Sequence, residues 1–435
     1  MVQDSRRTGL RWVVIGLIAL ATVINYIDRQ TMNVLWATSM GAELYPDLSV
    51  DERKEIYAVI SGFFVLSYAL GQAIFGKIFD RVGTRLGFAL SIGAWSIATA
   101  LHALGRGVIS LSVYRSLLGV AEAGNWPGAA KGNAEWFPVH ERALAQGIFN
   151  SGAAIGGLVS IPIIGLMAIS LSWQTIFVVV GLLGLLWLVP WLIVVKAPPS
   201  QHPWVSREER DYILHGKSEV SPEEPAEGYS PGTLEMLSRK QSWGVIIASA
   251  AIDPIWWLFI FWIPTYLTEV FDMDVKGIAI YGWVPYVGAM LGAWFGGLLS
   301  QSLFSKGWGT DRTRKFVITL GCGLMLPALL AMSSPGSPTV AVLIMAVILF
   351  GFQTAIGSVQ TLPSDMFGKK SVGTLAGLAG MAAKLTAWGL TVFVPWLTRD
   401  SNYAPAFVLG ASLALTTAAA VWLLCPKIEP LSPSR

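Results

Sequence analysis

Charge is scarce in this 435-residue chain: Asp, Glu, Lys and Arg make up 13% of it, about half the ~25% of a soluble protein. That argues against a soluble globular enzyme. Cysteine is nearly absent as well. Cys322 and Cys425 both sit in apolar blocks, which argues against a disulfide framework or a zinc site. The four histidines, His102, His140, His202 and His215, are scattered, without metal-ligand spacing. The net charge of +3 is small, and the basic residues form no patch of the kind that holds nucleic acid. Short strand-like runs are missing too. Long apolar blocks take their place, as membrane spans do. Hydrophobic residues reach 54%, with 45 glycines and 19 tryptophans. Glycine lets membrane helices pack closely, and tryptophan anchors them at the lipid interface.

Twelve blocks can be drawn, each near the ~20 residues of a span: 11–38, 55–78, 84–104, 108–130, 142–168, 173–196, 243–267, 278–304, 315–335, 339–361, 370–397 and 404–425. The first follows Arg6, Arg7 and Arg11 directly and is too long for a signal core, so it reads as an uncleaved span. The one long hydrophilic segment, 197–240, carries Arg207, Arg210, Lys217, Arg239 and Lys240 among acids, Pro and Ser. Six blocks lie on each side of it. The expected fold is an all-α membrane protein of twelve transmembrane helices: a six-helix half (1–196), a cytoplasmic linker (197–240) and a second six-helix half (241–435). Glycine-rich stretches recur in both halves, as at Gly152–Gly157 and Gly288–Gly292. Most basic residues, among them Arg6, Arg7, Arg11, Lys77, Arg81, Arg85, Lys131 and Arg142, fall on the side of both termini. The other side keeps Arg53, Lys54, Arg106, Lys276 and Arg399. The positive-inside rule then predicts cytoplasmic termini in a multi-pass inner-membrane protein.

Six charges lie deep in predicted spans: Asp28, Arg29, Arg115, Glu122, Asp253 and Lys384. A charge at the bilayer centre costs at least ~2.5–3.5 kcal/mol, so each needs a partner or a watery cavity. At ~100° per residue, Asn25 and Arg29 share a face with Tyr26 beside them, while Asp28 points elsewhere. Arg29 can thus serve an anion and Asp28 a proton, or the two can be a structural pair at a helix end. Arg115 and Glu122, seven apart, share one face two turns apart. Arginine stays charged and presents a fork suited to a carboxylate. A carboxyl in a dry cavity can hold a proton near neutral pH. Lys384 either contacts ligand from the second half or pairs with Asp253. The tryptophans of 256–262 read as packing or interface anchors. Gly71 to Lys77 has P-loop spacing, but Ile78 stands where Ser or Thr would hold magnesium, and no strand precedes it. Nucleotide binding is rejected, and no metal, cofactor or catalytic motif survives its context.

The loop Gly76-Lys77-Ile78-Phe79-Asp80-Arg81-Val82-Gly83-Thr84-Arg85 resembles the signature loop of the major facilitator superfamily, with Gly76, Asp80, Arg81, Gly83 and Arg85 as its cytoplasmic gate motif. Asp80 can cap a helix and pair with an arginine there. The runs from Asn25 to Arg29, Arg115 to Glu122 and Glu135 to Arg142 resemble the anion:cation symporter branch, which includes hexuronate and galactonate transporters. The stretches Glu122–Pro127 and Asp253–Trp257 look closest to hexuronate-type members. This resemblance implies a major facilitator fold with Asp28 and Glu122 as proton-coupling carboxylates. It implies substrate roles for Arg29 and Arg115, and for the tyrosines Tyr26 and Tyr68. In the tenth span, Phe352 to Ser358 keeps only Gln353 of the His-Gln-Ala-Trp-Ser-Ala-Asn pattern of hexuronate carriers, and Lys384 is foreign to that pattern.

The sequence therefore reads as a proton-coupled symporter, not an enzyme. It is expected to import a small organic anion, a hexuronate or aldonate, by alternating access at a midplane site. Its expected partners are that anion, protons and the lipid bilayer, with no nucleic acid, and the carrier is expected to be a monomer. A carrier of an aromatic carboxylate or dicarboxylate is the alternative, with Lys384 meeting a second carboxylate. A non-transporting membrane sensor is the rival of another class, and no appended signalling domain supports it.

Overall fold

The computed structural model describes residues 8–138, 141–218, 231–367, 369–429 and 431. Every regular element among them is helical. Fifteen helices follow in order: α1 (Leu10–Leu44), α2 (Val50–Leu101), α3 (Val108–Glu122), α4 (Asn125–Trp136), α5 (Arg142–Ala168), α6 (Trp173–Val194), α7 (Arg207–Ser218), α8 (Thr233–Leu237), α9 (Lys240–Phe271), α10 (Val275–Tyr281), α11 (Val284–Ser305), α12 (Thr310–Ala331), α13 (Pro338–Met366), α14 (Lys369–Leu397) and α15 (Ala404–Leu424).

Eleven helical stretches of the described residues are long and apolar enough to cross a membrane. The expected twelfth, 108–130, is broken. It forms α3, of 15 residues, and α4, of 12, parted at Ala123 and Gly124. Each alone falls short of the ~20 residues a span needs. Pro127 sits in the first turn of α4, where its missing N–H costs nothing. The second and third blocks both fall within α2, which is two helices meeting at a kink at Gly83, where φ is 75°, a value glycine adopts without strain. The first block runs past its expected end to Leu44 through a π turn at Trp36–Met40. The hydrophilic linker also carries two short helices, α7 and α8.

The chain forms two compact units: Met1–Met32, Phe63–Ser160 and Met167–Glu224 in one, Asn33–Gly62, Ile161–Leu166 and Pro225–Arg435 in the other. In the first, side chains tie loops to helix ends. Thr84 Oγ1 donates to Glu135 Oε2 at 2.6 Å, and Trp191 Nε1 donates to the Arg85 carbonyl at 3.0 Å. The linker helix α7 is bound to the start of α1 through Glu209. That carboxylate accepts from Thr8 and, at 2.8 Å, from Arg11, whose Nε also holds Glu141 at 2.8 Å.

In the second unit α9 is the most buried span, and its prolines explain two of its contacts. Proline lacks the N–H that would bond the carbonyl four residues back, and in a membrane that carbonyl must find another donor. Pro254 frees the Ala250 carbonyl, which accepts from Thr386 of α14 at 2.7 Å. Pro264 frees the Ile260 carbonyl, which accepts from Asn33 Nδ2 of α1 at 2.7 Å. Tyr57 of α2 donates to Asn33 at 2.7 Å and to the Phe261 carbonyl at 3.0 Å. A second seam joins α11 to α13. A side chain at Gly288 or Gly292 would strike the Ala346 or Phe350 carbonyl, so small residues set this contact.

Candidate substrate and coupling site

Three helices of the first unit converge on one charged cluster. From α1 come Tyr26, Asp28 and Arg29; from α2, Phe64, Tyr68 and Thr99; from α3, Arg115 and Glu122. Gly119 of α3 brings the helices together, because a Cβ there would lie 2.5 Å from the Phe64 carbonyl oxygen. All four charges are buried: Asp28 is 1% exposed, Arg29 2%, and Arg115 and Glu122 0%.

Arg29 Nε donates to Glu122 Oε2 at 2.6 Å. Its guanidinium carbon lies 5.1 Å from the Tyr26 ring centroid, 4.9 Å from that of Tyr68 and 5.6 Å from that of Phe64. A planar cation held among aromatic faces gains from each ring quadrupole. Arg115 covers the Phe64 ring at 4.8 Å and donates to the Arg29 carbonyl at 3.2 Å. The Asp28 carboxylate lies in the electrostatic reach of Glu122, Arg115 and Arg29, beside Thr99. Neither of its oxygens has a well-formed hydrogen bond among the described residues.

The sequence expectation put Arg29 on a ligand and gave Glu122 a proton-coupling role. In the structure these two residues hold each other. Protonating Glu122 removes the charge that occupies Arg29 and turns the arginine fork toward another carboxylate. A carboxylate arriving at Arg29 competes with Glu122 in the same way. The arrangement can therefore exchange an internal carboxylate for an external one.

The second unit carries a separate pair. Lys384 Nζ lies 2.6 Å from Asp253 Oδ2, and both side chains are 16% exposed. Trp257 Nε1 donates to the same oxygen at 2.9 Å, and its ring lies 5.2 Å from the ammonium. Of the two destinations expected for Lys384, the pairing is the one observed. Gln353 is half-buried on α13, and its neighbour Phe352 stacks on Trp256 at 5.4 Å. In the gate motif, Gly83 supplies the turn, Arg81 is exposed, and Arg85 Nη2 reaches the Leu192 carbonyl at 3.5 Å. The surroundings of Gly76 and the side chains of Asp80 and Arg142 lie outside the described residues.

Sequence reasoning missed Phe64 and Thr99, which face the cluster, and His102. The His102 ring is buried, stacks on Phe177 at 4.9 Å and pairs through Nδ1 with the Ala98 carbonyl at 2.8 Å. Phe64 and Thr99 carry no mark in the sequence beyond their place in an apolar run, and His102 stands there only as one of four scattered histidines. Among the described residues no group of His, Cys, Asp and Glu could hold a metal ion.

Three similarities bear on what this site belongs to. A family described as Major Facilitator Superfamily matches residues 18–392. The hexuronate transporter of Escherichia coli K12 is 33% identical over 427 residues, covering 97% of this chain and 96% of its own. The galacturonate transporter of Dickeya chrysanthemi is 33% identical over 320 residues, 73% of this chain and 90% of its own. The solved structure of a bacterial homologue of the human lysosomal transporter Spinster, inward-facing and occupied, superposes with a TM-score of 0.71 at 18% identity. It covers 98% of this chain and 100% of that one, a likeness of fold alone. With a family match over most of its length and a relative of 33% identity across nearly all of it, this integral membrane chain belongs to the major facilitator superfamily and is a transporter, not an enzyme.

Proposed function

We propose that this transporter imports a sugar acid, a hexuronate or an aldonate, together with protons, by alternating access of two six-helix halves. The observation that carries the reading is the buried Arg29–Glu122 pair at 2.6 Å, held among Tyr26, Tyr68 and Phe64 with Asp28 close by. Relatives named for hexuronate and galacturonate support the substrate class. In this reading a proton on Glu122 releases Arg29, Arg29 and Arg115 take the substrate carboxylate, and the tyrosines face the sugar. Asp28, buried beside the pair, is the carboxylate that would carry a second proton if the cycle moves two. The excess of Lys and Arg on the side of the termini supports cytoplasmic termini and an inner-membrane orientation.

The test is uptake of radiolabelled galacturonate into proteoliposomes. With an acidic exterior the wild-type protein accumulates it. Glu122→Gln leaves the empty cluster one positive charge in excess, while the loaded cluster is neutral. The loaded carrier then crosses and the empty one does not. Accumulation driven by pH is lost, and exchange of internal for external galacturonate persists. Full pH-driven accumulation by Glu122→Gln would remove Glu122 from the coupling role.

A second reading, a dicarboxylate such as an aldarate, rests on Lys384. Its ammonium would leave Asp253 for the distal carboxylate. A thermal-shift panel of hexuronates, aldonates, aldarates and aromatic acids separates the two, because a ligand of the folded form raises the apparent melting temperature.

A further inference from the structure

One end of the second unit holds a cavity that the Arg29 cluster does not use. It measures about 130 Å³ and lies where the π turn of α1, the start of α2 and the end of α9 meet. Trp36 and Thr38 line it from α1, Arg53 and Lys54 from α2, Thr265 and Glu269 from α9. π turns inside α-helices occur often at functional sites.

The two cations differ in what they already hold. Lys54 is buried, and its ammonium is fully engaged. It reaches Glu269 Oε2 at 2.7 Å, the Thr398 carbonyl at 2.9 Å and Asp51 Oδ1 at 3.3 Å. Those contacts use its three protons. Arg53 is half-exposed, and its guanidinium has no ion-pair or hydrogen-bond partner among the described residues. On the α9 wall, two buried oxygens also lack one: Thr265 Oγ1 and Glu269 Oε1. Thr265 is 7% exposed and the Glu269 side chain 4%. A buried polar atom left unbonded costs about 1–3 kcal/mol, so these atoms mark a place for a ligand. Thr38 already donates to the Val34 carbonyl at 2.8 Å, which leaves its lone pairs as acceptors.

The set is one open cation fork, one open carboxylate oxygen and hydroxyls able to accept. We propose that the cavity is an entry subsite for a carboxylate with an adjacent hydroxyl, the head of a sugar acid, an inference that rests on the substrate class proposed above. Arg53 takes the carboxylate through its planar fork. The neighbouring hydroxyl of the ligand donates to Glu269 Oε1, and the Thr265 hydroxyl donates to a ligand oxygen. The cavity lies below the ~300 Å³ at which small-molecule pockets begin, so it holds the head of the ligand and leaves the rest at the surface. Glu269 links the subsite to the pair that fastens α9 to α2, because its other oxygen is the one on Lys54.

Calorimetric titration of the full-length protein with galacturonate tests this, with galactose as the uncharged control. The wild type is expected to show two sites, and galactose to fill neither. Arg53→Gln weakens one of them about tenfold or more, the loss of a charge-assisted contact, and leaves the other in place. Thr265→Val, nearly isosteric and safe for the fold, weakens the same site. Arg29→Gln removes the other site and spares this one. A single site in the wild type, or a second site unchanged in both Arg53→Gln and Thr265→Val, overturns the subsite. If Arg29→Gln leaves all binding intact, the role given to Arg29 fails, while an Arg53-dependent site still upholds the entry subsite. No galacturonate binding by the wild type overturns both.

Discussion

Lys384 shows how far a single residue can be read. A lysine inside a span needs either a partner or water, and Asp253 was a partner available to it. The structure makes that pair, with Trp257 bonding the same carboxylate oxygen. Lys384→Ala is therefore expected to lower stability by about 1–3 kcal/mol, less than the ~3–5 of a fully buried pair because both groups are partly exposed. Adding Asp253→Ala should recover most of that loss, and thermal unfolding of the four proteins gives the coupling energy. Additive losses would mean that the pair contributes nothing. The residues of the site divide in the same way. Asp28, Arg29, Arg115 and Glu122 stand out in the sequence because charge is expensive where they lie. Phe64 and Thr99 do not, since neutral residues in a span carry no such mark. Nor could spacing say that Glu122 faces Arg29 of another helix and not Arg115 of its own. Helical period assigns a face, and the neighbour on that face is a matter of packing.

Among the elements, the turn at Gly83 was legible because glycine and charge interrupt the apolar run there. The break after Glu122 was not, because the run continues through it and only Pro127 hints at a new first turn. The linker was legible as polar but not as helical. Its helix α7 is held by a contact distant in sequence, Glu209 on Arg11 and Thr8. Burial pushes the Glu209 carboxyl up, but the hydrogen bonds from Thr8 and Arg11 outweigh it and hold the group below its ordinary value. A carboxylate depressed by folding stabilises the fold above its unfolded value, and that contribution is lost as pH falls through the folded one. Glu209→Gln should thus cost about 2 kcal/mol at neutral pH, since Arg11 keeps Glu141. The gap between wild type and variant should stay constant from pH 8 to about 5 and close below about pH 4.3, the ordinary glutamate value. Melting temperatures of both proteins across that range measure it. A gap that persists unchanged at the acid end would show that the contact does not depend on the ionised carboxylate.

For the whole molecule, the apolar blocks and the glycine-rich stretches made the all-helical membrane fold readable, since the bilayer leaves few structures that bond every backbone group. The energetics of transport follow from a count of charge in the first unit. Arg29, Arg115, Asp28 and Glu122 are all buried, and with both carboxylates ionised their charges cancel. A monovalent sugar acid adds one negative charge. Net charge carried through a low-dielectric interior is costly, and in the proposed cycle one proton on Glu122 restores neutrality as it frees Arg29. One proton per monoanion leaves the cluster neutral both empty and loaded, so transport is expected to be electroneutral. A second proton, on Asp28, would instead move one positive charge inward. That charge is worth ~2.3 kcal/mol per 100 mV, about a fifty-fold change in accumulation. Proteoliposomes with a potassium diffusion potential set by valinomycin, and no pH difference, separate the two cases. Galacturonate accumulation that is unchanged by a potential of about 100 mV, interior negative, fits the neutral cycle. A rise of tens of fold would assign the second proton, and Asp28→Asn should then abolish the response to voltage.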